Sequence, residues 1–266
     1  SGCGQKGPLY RNAPVPDVLV QPLLLFATGL VAGALNVIAG GGSLLSLPVM
    51  IFLGLPPTVA NGTNRVAILA ANVGATASFH RRRKIPPGWV ALALPPALFG
   101  AGLGTWVAVQ MGEAAFQRVL AVVLVLVAAA SLWRPGAVTD EMTGQVPEGP
   151  RRWAYRAAFL VVGVYGGFIQ AGVGFLVLAV AAVGGLDLVR GNAMKVAIVL
   201  GFTPLSLGIF ALTGKVDWGV GAALAVGTLL GGLAGVHVQI LKGQEWIRKV
   251  VTVMIVLFAI RLLTTG

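Results

Sequence analysis

Long apolar stretches, separated by short polar or proline-rich segments, run through most of the chain. The first extends from about residue 17 to residue 53 and is interrupted by Gly40, Gly41, Gly42 and Ser43. One transmembrane helix needs about 20 residues, so this stretch is too long for one span and short for two. The pattern predicts two helical arms that fold about the glycines, as a broken or re-entrant hairpin. Further apolar helices are predicted at about 58–80, 88–110 and 115–133.

The second half of the chain repeats this pattern. An apolar stretch from about residue 154 to residue 185 is broken where Gly172 and Gly174 flank Val173. Three apolar helices are predicted after it, at about 192–212, 218–240 and 246–264. Each half therefore contains about five apolar segments, and the first element of each is a hairpin broken by glycines.

The segment between the halves has a different composition. It holds Pro135, Pro147 and Pro150 together with several acidic residues, which is typical of a solvent-exposed loop. The predicted organisation has four parts: an extramembrane N-terminal segment 1–16, a first transmembrane repeat 17–133, a cytoplasmic linker 134–153 and a second transmembrane repeat 154–266.

Short motifs recur between the two halves in the same order. The motif NRVAI, which begins at Asn64, is matched by MKVAI, which begins at Met194. Four glycines also correspond, each pair spaced four residues apart: Gly100 and Gly104, then Gly231 and Gly235. The matches indicate an internal duplication. For these four glycines we expect close helix packing, as small residues provide in membranes.

The composition excludes a soluble protein. Hydrophobic residues make up 57% of the 266 residues and charged residues 10%, whereas a soluble domain carries about 25% charged residues. A single Cys excludes a disulfide framework and a multi-cysteine metal site, and no cofactor is expected. The chain is predicted to be an all-α polytopic membrane protein. We read its net charge of +11 as a record of membrane orientation and expect no nucleic-acid partner.

The number of segments predicts inverted repeats. An odd number of crossings turns the second copy upside down relative to the first. If the basic run 81–84 lies inside, most of the 19 Lys and Arg residues lie on the same side, as the positive-inside rule requires. The N-terminus is then outside. Inverted repeats with broken helices are the architecture of many secondary transporters.

Arg65 and Lys195 are the two cations predicted within helices, at matching positions of the two halves. All eight acidic residues fall in loops or near helix ends, so no nearby carboxylate neutralises either cation. A cation inside a membrane is costly and faces a partner or an aqueous cavity. We interpret the pair as ligands of an anionic substrate. Two alternatives are that both side chains reach the membrane interface, or that an acid from a loop pairs with them.

The glycine breaks supply a second set of candidate ligands. Backbone amides at an interrupted helix face the cavity, and the positive end of the helix dipole attracts anions. Asn64, next to Arg65, can refine the fit. The remaining candidate substrate-binding residues lie at or beside the two breaks: Asn36, Gly40, Gly41, Gly42 and Ser43 in the first half, and Gln170, Gly172 and Gly174 in the second.

Several of these motifs resemble the sulfite exporter TauE/SafE family. The matching motifs are AGGGS at 39–43, LGLPP at 53–57, ANGTN at 60–64, the basic loop that follows the helix predicted at about 58–80, the second glycine break and the turn GKVDW at 214–218. The resemblance covers roughly residues 18–264. It implies an inner-membrane secondary transporter of sulfite, sulfonates or related organosulfur anions, coupled to the proton gradient.

The expected function is export of a small anion by alternating access between the two repeats. Sulfite or another organosulfur, sulfonate or thiosulfate-like anion is the expected substrate. With no carboxylate in a helix core, the proton would travel on the substrate. A passive anion channel and a non-transporting membrane assembly or scaffold protein remain as alternatives. An enzyme is not expected, because the helices lack a plausible set of acids, bases and nucleophiles.

The N-terminal residues 2–10 resemble the start of small Gram-negative lipoproteins just after their signal peptide. If an apolar signal segment precedes them in the natural chain, Cys3 is expected to be acylated outside the inner membrane. The alternative is a misassigned start or a fusion remnant. An acylated Cys3 agrees with an outside N-terminus.

Overall fold

The computed structural model describes residues 20–132 and 144–242, and every regular element in these ranges is an α-helix. The helices in chain order are α1 Val20–Ala39, α2 Ser43–Phe52, α3 Pro57–Arg81, α4 Pro87–Gln110, α5 Glu113–Leu132, α6 Gly149–Phe168, α7 Val173–Val183, α8 Leu188–Leu212 and α9 Trp218–Lys242. The all-helical prediction is confirmed for this part of the chain.

The helix bounds follow the apolar pattern closely, apart from earlier starts of α6 and of α8, which begins at Leu188 instead of about residue 192. α6 begins at Gly149, within the segment assigned to the linker, because Pro150 occupies the first turn of a helix, where proline is well tolerated. Proline also starts α3 and α4 in the same way. The N-terminal segment with Cys3, most of the linker and the helix predicted at about 246–264 lie outside the described residues.

Within the described ranges, four helices are long and apolar enough to cross a membrane: α1, α4, α8 and α9. α2 and α7 have 10 and 11 residues, which at about 1.5 Å per residue cannot cross a hydrocarbon core about 30 Å thick. Each is the short second arm of a glycine-broken hairpin. α3 is long but less apolar, because a row of buried polar residues runs along it.

Glycines set the two closest helix pairs. A β-carbon at Gly100 or Gly104 of α4 would overlap a carbonyl oxygen of α6, at Leu160 and Val164 respectively. A β-carbon at Gly231 of α9 would in the same way overlap the Leu30 carbonyl oxygen of α1. In each pair, residues later in one helix contact residues later in the other helix. α4 therefore runs parallel to α6, and α1 runs parallel to α9. The packing role expected for these glycines is seen.

One end of the bundle is basic. Trp89, at the start of α4, donates from Nε1 to the Gly144 carbonyl at 3.1 Å and packs edge-on against Tyr155 near the start of α6. The Gly144 N–H in turn donates to the Gly185 carbonyl in the α7–α8 loop. The basic run 81–84, the start of α6 and the start of α8 with Arg190 therefore share this end.

The other end joins the start of α3 to the α8–α9 loop. Lys215 Nζ donates to the Val109 carbonyl at the end of α4, at 2.9 Å. The Asp217 N–H donates to Thr63 Oγ1, also at 2.9 Å. α3 thus starts at the end of the bundle where α8 finishes, and it finishes at the end where α8 starts.

Arg83 is the one described residue other than glycine with a positive φ, at 53°. It follows α3 as Gly214, with a φ of 69°, follows α8. Both turns close by the same local bond at the helix end, from Lys84 N–H to the Phe79 carbonyl and from Lys215 N–H to the Phe210 carbonyl. The left-handed conformation costs a residue with a β-carbon about 1–2 kcal/mol, so this helix end carries strain that its counterpart avoids.

We therefore expect Arg83→Gly to raise the free energy of unfolding by about 0.5–1 kcal/mol, the relief of strain less the added entropy of the unfolded chain. The measurement is the midpoint of thermal unfolding of the purified protein in detergent. Arg82→Gly is the matched control, since it removes the same charge at a residue with an ordinary φ of −91°. An equal gain in both variants would attribute the effect to charge instead of backbone conformation.

Candidate functional site

The two glycine breaks lie against each other. Gly40 follows α1 with a φ of 78°, and Gly172 precedes α7 with a φ of 75°, both in the region that favours glycine. A β-carbon at Gly40 would lie 2.5 Å from the Cα atom of Gly174. Helix ends from both halves of the chain therefore meet backbone to backbone at this point.

Lys195 reaches from α8 to the end of α1. Its Nζ donates to the carbonyl oxygens of Asn36 at 2.9 Å and Val37 at 2.8 Å, and to Asn192 Oδ1 at 2.7 Å. The side chain is 2% exposed. The last carbonyls of a helix have no partner within it and carry the negative end of the helix dipole. The ammonium group therefore caps the first arm of the first hairpin.

Arg65 does the same for the second hairpin. From α3, its guanidinium donates to the carbonyl oxygens of Gly166 at 3.1 Å and Gly167 at 2.5 Å, in the last turn of α6. A longer bond of 3.4 Å reaches Gln170 Oε1 in the break itself. The guanidinium carbon lies 4.8 Å from the centre of the Phe210 ring. The side chain has no exposed surface.

The two caps are reciprocal, because each cation belongs to one half and holds the broken helix of the other. α3 and α8 both contain 25 residues. The motif match pairs Lys195 with Arg65. Counted from the helix starts, however, Lys195 corresponds to Asn64, one residue before Arg65. The two long side chains nevertheless end at the same feature, the last turn of a hairpin's first arm.

Neither alternative suggested for the two cations is seen in this structure. A side chain that reaches the membrane interface exposes its charged end, whereas Arg65 and Lys195 are both buried within the described structure. The hydrogen-bond partners are carbonyl and amide oxygens, and no Asp or Glu is among the buried residues of the described ranges. Carbonyl dipoles stabilise a cation without cancelling its charge. The region around the breaks therefore carries two buried positive charges and no buried carboxylate in the part of the chain that is described.

The first break has its own polar cluster. Asn64 Nδ2 donates to Ser43 Oγ at 2.8 Å, and Ser46 Oγ donates to Asn64 Oδ1 at 2.5 Å. These bonds fix α2 to α3. Gly42 packs against Asn36, since a β-carbon there would lie 2.7 Å from the Asn36 Cβ. Gly41 faces the ring of Phe175 on α7.

The second break is held by different side chains. Gln170 Nε2 donates to Thr203 Oγ1 at 2.9 Å. Thr105 Oγ1 lies 3.0 Å from the Gly167 carbonyl and 2.8 Å from Ser206 Oγ. Asn61 Nδ2 donates to the Phe168 carbonyl at 2.9 Å. The carbonyls that end α6 are thus met by several polar groups besides Arg65.

The predicted site residues fall into two touching groups. One contains Lys195 with the first-half candidates, and the other contains Arg65 with Gln170, Gly172 and Gly174; Gly40 and Gly174 join them. Sequence reasoning missed four polar residues that line the breaks: Ser46, Thr105, Thr203 and Ser206. A signal was present in α8, where Lys195, Thr203 and Ser206 lie on one helical face.

Some buried polar atoms beside the breaks have no hydrogen-bond partner. They are Asn36 Nδ2, Asn61 Oδ1, Arg65 Nε and Asn192 Nδ2. Three of these four are donors. An unpaired buried donor costs about 1–3 kcal/mol, so each is a place where an acceptor would be stabilised. Asn36 Nδ2 stands out because its residue packs on Gly42, at the start of α2.

The described fold, all-helical with long apolar helices, is that of a polytopic α-helical membrane protein. The family model for the sulfite exporter TauE/SafE matches residues 25–262. The chain therefore belongs to the sulfite exporter TauE/SafE family, and it is a transporter protein, not an enzyme.

Curated relatives agree with this assignment. The chain is 30% identical to a probable membrane transporter protein of Haemophilus influenzae, over 87% of this chain and 90% of the relative. It is 29% identical to the probable membrane transporter protein ORF9 of a Sinorhizobium species, over 90% and 91%. It is 27% identical to the probable membrane transporter protein YfcA of Escherichia coli K12, over 92% and 91%. No solved structure matches the chain significantly.

The contact between the breaks can be tested with single methyl groups. Gly40→Ala adds a β-carbon where φ is positive and where the Gly174 backbone leaves no room. We expect it to lower the free energy of unfolding by about 2–5 kcal/mol, the sum of strain and overpacking. The measurement is thermal unfolding in detergent.

Gly208→Ala is the matched control for this substitution. Gly208 lies inside α8, and a β-carbon there meets nothing within 4 Å. This variant should be as stable as the parent or slightly more stable, because alanine favours helix. Equal stability of Gly40→Ala and Gly208→Ala would mean that the two breaks do not touch as described.

Proposed function

We propose that this protein is a secondary transporter that exports a small anion across the cell inner membrane, with sulfite or a related organosulfur anion as substrate. The observation that carries the proposal is the pair of buried cations, Arg65 and Lys195, at the two breaks. The described core offers no buried carboxylate to balance them. A bound anion supplies the missing charge, while a cationic substrate would add to the excess.

The amide ends of the short arms are the proposed anion ligands. At each break the carbonyl end of one helix lies beside the amide end of the next, and a cation already occupies the carbonyl end. The starts of α2 and α7 carry the positive ends of their helix dipoles. Several of their first N–H groups also donate to carbonyls of the breaks, among them Leu44 to Gly41 and Phe175 to Gly172, so the dipole is the main contribution of these helix ends. At α2, Ser43 Oγ and the unpaired Asn36 Nδ2 add further donors. An oxyanion has acceptors for several such donors at once.

The sulfur chemistry is supported by family membership. The matching family model is described as a sulfite exporter. Sulfite carries three oxygen acceptors and a charge that two cations can balance. We therefore place sulfite first and organic sulfonates and thiosulfate after it.

Alternating access between inverted repeats is the proposed mode of transport. One observation supports the inversion: α3 and α8 start at opposite ends of the bundle, as judged from the contacts of Asp217 and Trp89. A second supports the duplication, because the parallel pair α1 and α9 corresponds to the parallel pair α6 and α4 when the halves are exchanged. Movement of one hairpin against the other half would then open the breaks to one side or the other.

The proposed orientation places the basic end in the cytoplasm. That end carries the run 81–84 together with Arg151, Arg152 and Arg190, and the positive-inside rule assigns such an end to the cytoplasm. The linker 134–153 is then cytoplasmic and the N-terminus is outside. The repeats 17–133 and 154–266 are the two halves that move.

The proton is proposed to travel on the substrate. The chain contains two histidines, His80 and His237, and both are exposed. Neither lies at the breaks. Sulfite itself titrates near neutral pH, so its protonated form can carry the proton without a side-chain relay.

The charge requirement predicts selective stabilisation by anions. A ligand at 100 times its dissociation constant stabilises the folded state by about 2.7 kcal/mol. We expect sulfite to raise the thermal midpoint of the detergent-solubilised protein more than sulfate, phosphate, acetate or the zwitterion taurine. Arg65→Gln and Lys195→Gln should each abolish this rise. The exposed Arg118→Gln is the control of equal charge change and should keep it.

Both cations also cap helices, so a loss of folding must be separated from a loss of binding. Asn36→Asp keeps the size of the side chain and places a carboxylate beside Gly42 at the proposed site. It should remain folded and lose the response to sulfite. An unchanged response in Asn36→Asp and in Lys195→Gln would refute the anion site. No response of the parent protein to any anion would favour a scaffold role, and flux that never saturates would favour a channel.

Substrate-carried protons predict that no histidine is needed for coupling. In proteoliposomes, we expect an imposed pH gradient to drive sulfite flux in His237→Gln and His80→Gln as it does in the parent. The reason is the exposed position of both rings, away from the breaks. Loss of gradient-driven flux in either variant, with sulfite binding intact, would instead establish a side-chain relay.

A further inference from the structure

A basic cavity lies at the start of α6, on the basic end of the bundle and away from the glycine breaks. It has a volume of about 660 Å³ and is lined by Gly149, Pro150, Arg152, Trp153 and Arg156. Transport as proposed above uses none of these residues. The cavity opens toward the surface, so a ligand can enter it from outside the bundle.

The lining combines two positive charges with an exposed aromatic ring. Arg152 and Arg156 are four residues apart on one helix and therefore lie on the same face. The guanidinium carbon of Arg156 lies 4.9 Å from the centre of the Trp153 ring, which orients it. Trp153 is 68% exposed. An exposed tryptophan beside arginines is typical of the boundary between lipid tails and headgroups.

Among the described residues, no carboxylate lines the cavity. Glu148 precedes α6, but its side chain does not cap the helix. The arginines are thus not neutralised by the residues that form the cavity. Guanidinium groups bind phosphate through paired hydrogen bonds, and they suit this task better than lysine.

The inner side of the same helix turn is fixed in place. Tyr155 packs edge-on against the buried Trp89, with ring centres 5.3 Å apart. Trp89 is held in turn by its hydrogen bond to the Gly144 carbonyl. The cavity therefore sits on a rigid support, with its charged face turned outward.

We propose that this cavity binds the headgroup of an anionic phospholipid. The phosphate lies between Arg152 and Arg156, and the Trp153 ring lies against the glycerol and the first part of the acyl chains. Basic pockets beside transmembrane helices on the cytoplasmic side select such headgroups. The same helix ends at Gly166 and Gly167, whose carbonyls bind Arg65. A lipid bound here anchors the broken helix to the surrounding bilayer.

The test compares thermal unfolding of the full chain in detergent with added phosphatidylglycerol, phosphatidylcholine or inorganic phosphate. Phosphatidylglycerol should stabilise the parent, and phosphatidylcholine should not. The double variant Arg152→Gln/Arg156→Gln should bind phosphatidylglycerol at least about tenfold more weakly, since each basic residue near an anionic surface contributes about 1 kcal/mol. Its response to sulfite should be unchanged, which separates this site from the transport site.

Arg82→Gln/Lys84→Gln is the matched control, because it removes the same charge from the same end without touching the cavity. It should keep the stabilisation by phosphatidylglycerol. Equal losses in the two double variants would mean diffuse attraction to the basic end and would overturn the site. Equal stabilisation of the parent by inorganic phosphate would make the ligand a free phosphate, and no response to phosphatidylglycerol would also refute the proposal.

Discussion

Helices that end inside the buried core of the bundle set the constraint on which this structure depends. The last four carbonyls of a helix have no partner within it, and a buried carbonyl without a hydrogen bond is costly. α1 and α6 both end in this way, at the two glycine breaks. Lys195 and Arg65 supply the missing hydrogen bonds. Because each cation comes from the opposite half, neither broken helix can be completed by its own half of the chain.

In the proposed mechanism, the capping of each broken helix by a cation from the opposite half links stability to transport. The two halves are joined where the breaks touch, at Gly40 and Gly174, and where each cation crosses to the other half. A motion that opens one hairpin must carry its cation along or release it. Release would leave a buried charge and several carbonyls unpaired, which is costly. An anion that binds beside the cation lowers that cost, so substrate binding and hairpin movement are physically coupled in the proposed mechanism.

Much of the candidate site was predictable because its residues are polar or glycine positions that interrupt the apolar pattern. Arg65 and Lys195 are conspicuous as cations within helices, and the glycine breaks are conspicuous as interruptions. Their burial was decided by the structure, since the sequence left open that both side chains reach the membrane interface. The partners were not predictable in the same way. Thr105 contacts Ser206, and Asn61 contacts the carbonyl that ends α6, although in each case more than a hundred residues separate them along the chain.

The sequence by itself determined the all-helical class, the place of the breaks and the identity of the two buried cations. Each of these depends on local hydrogen bonding, local conformation and the cost of polar groups in lipid, and all three can be judged within a short window. Only the tertiary structure decided what the cations bind. A long side chain can reach any element within several ångströms, and which element lies there depends on how distant helices pack. The glycines of α4 and α9 set that packing, and so Arg65 and Lys195 meet carbonyl oxygens, whereas the sequence suggested an anion, the membrane interface or an acid from a loop.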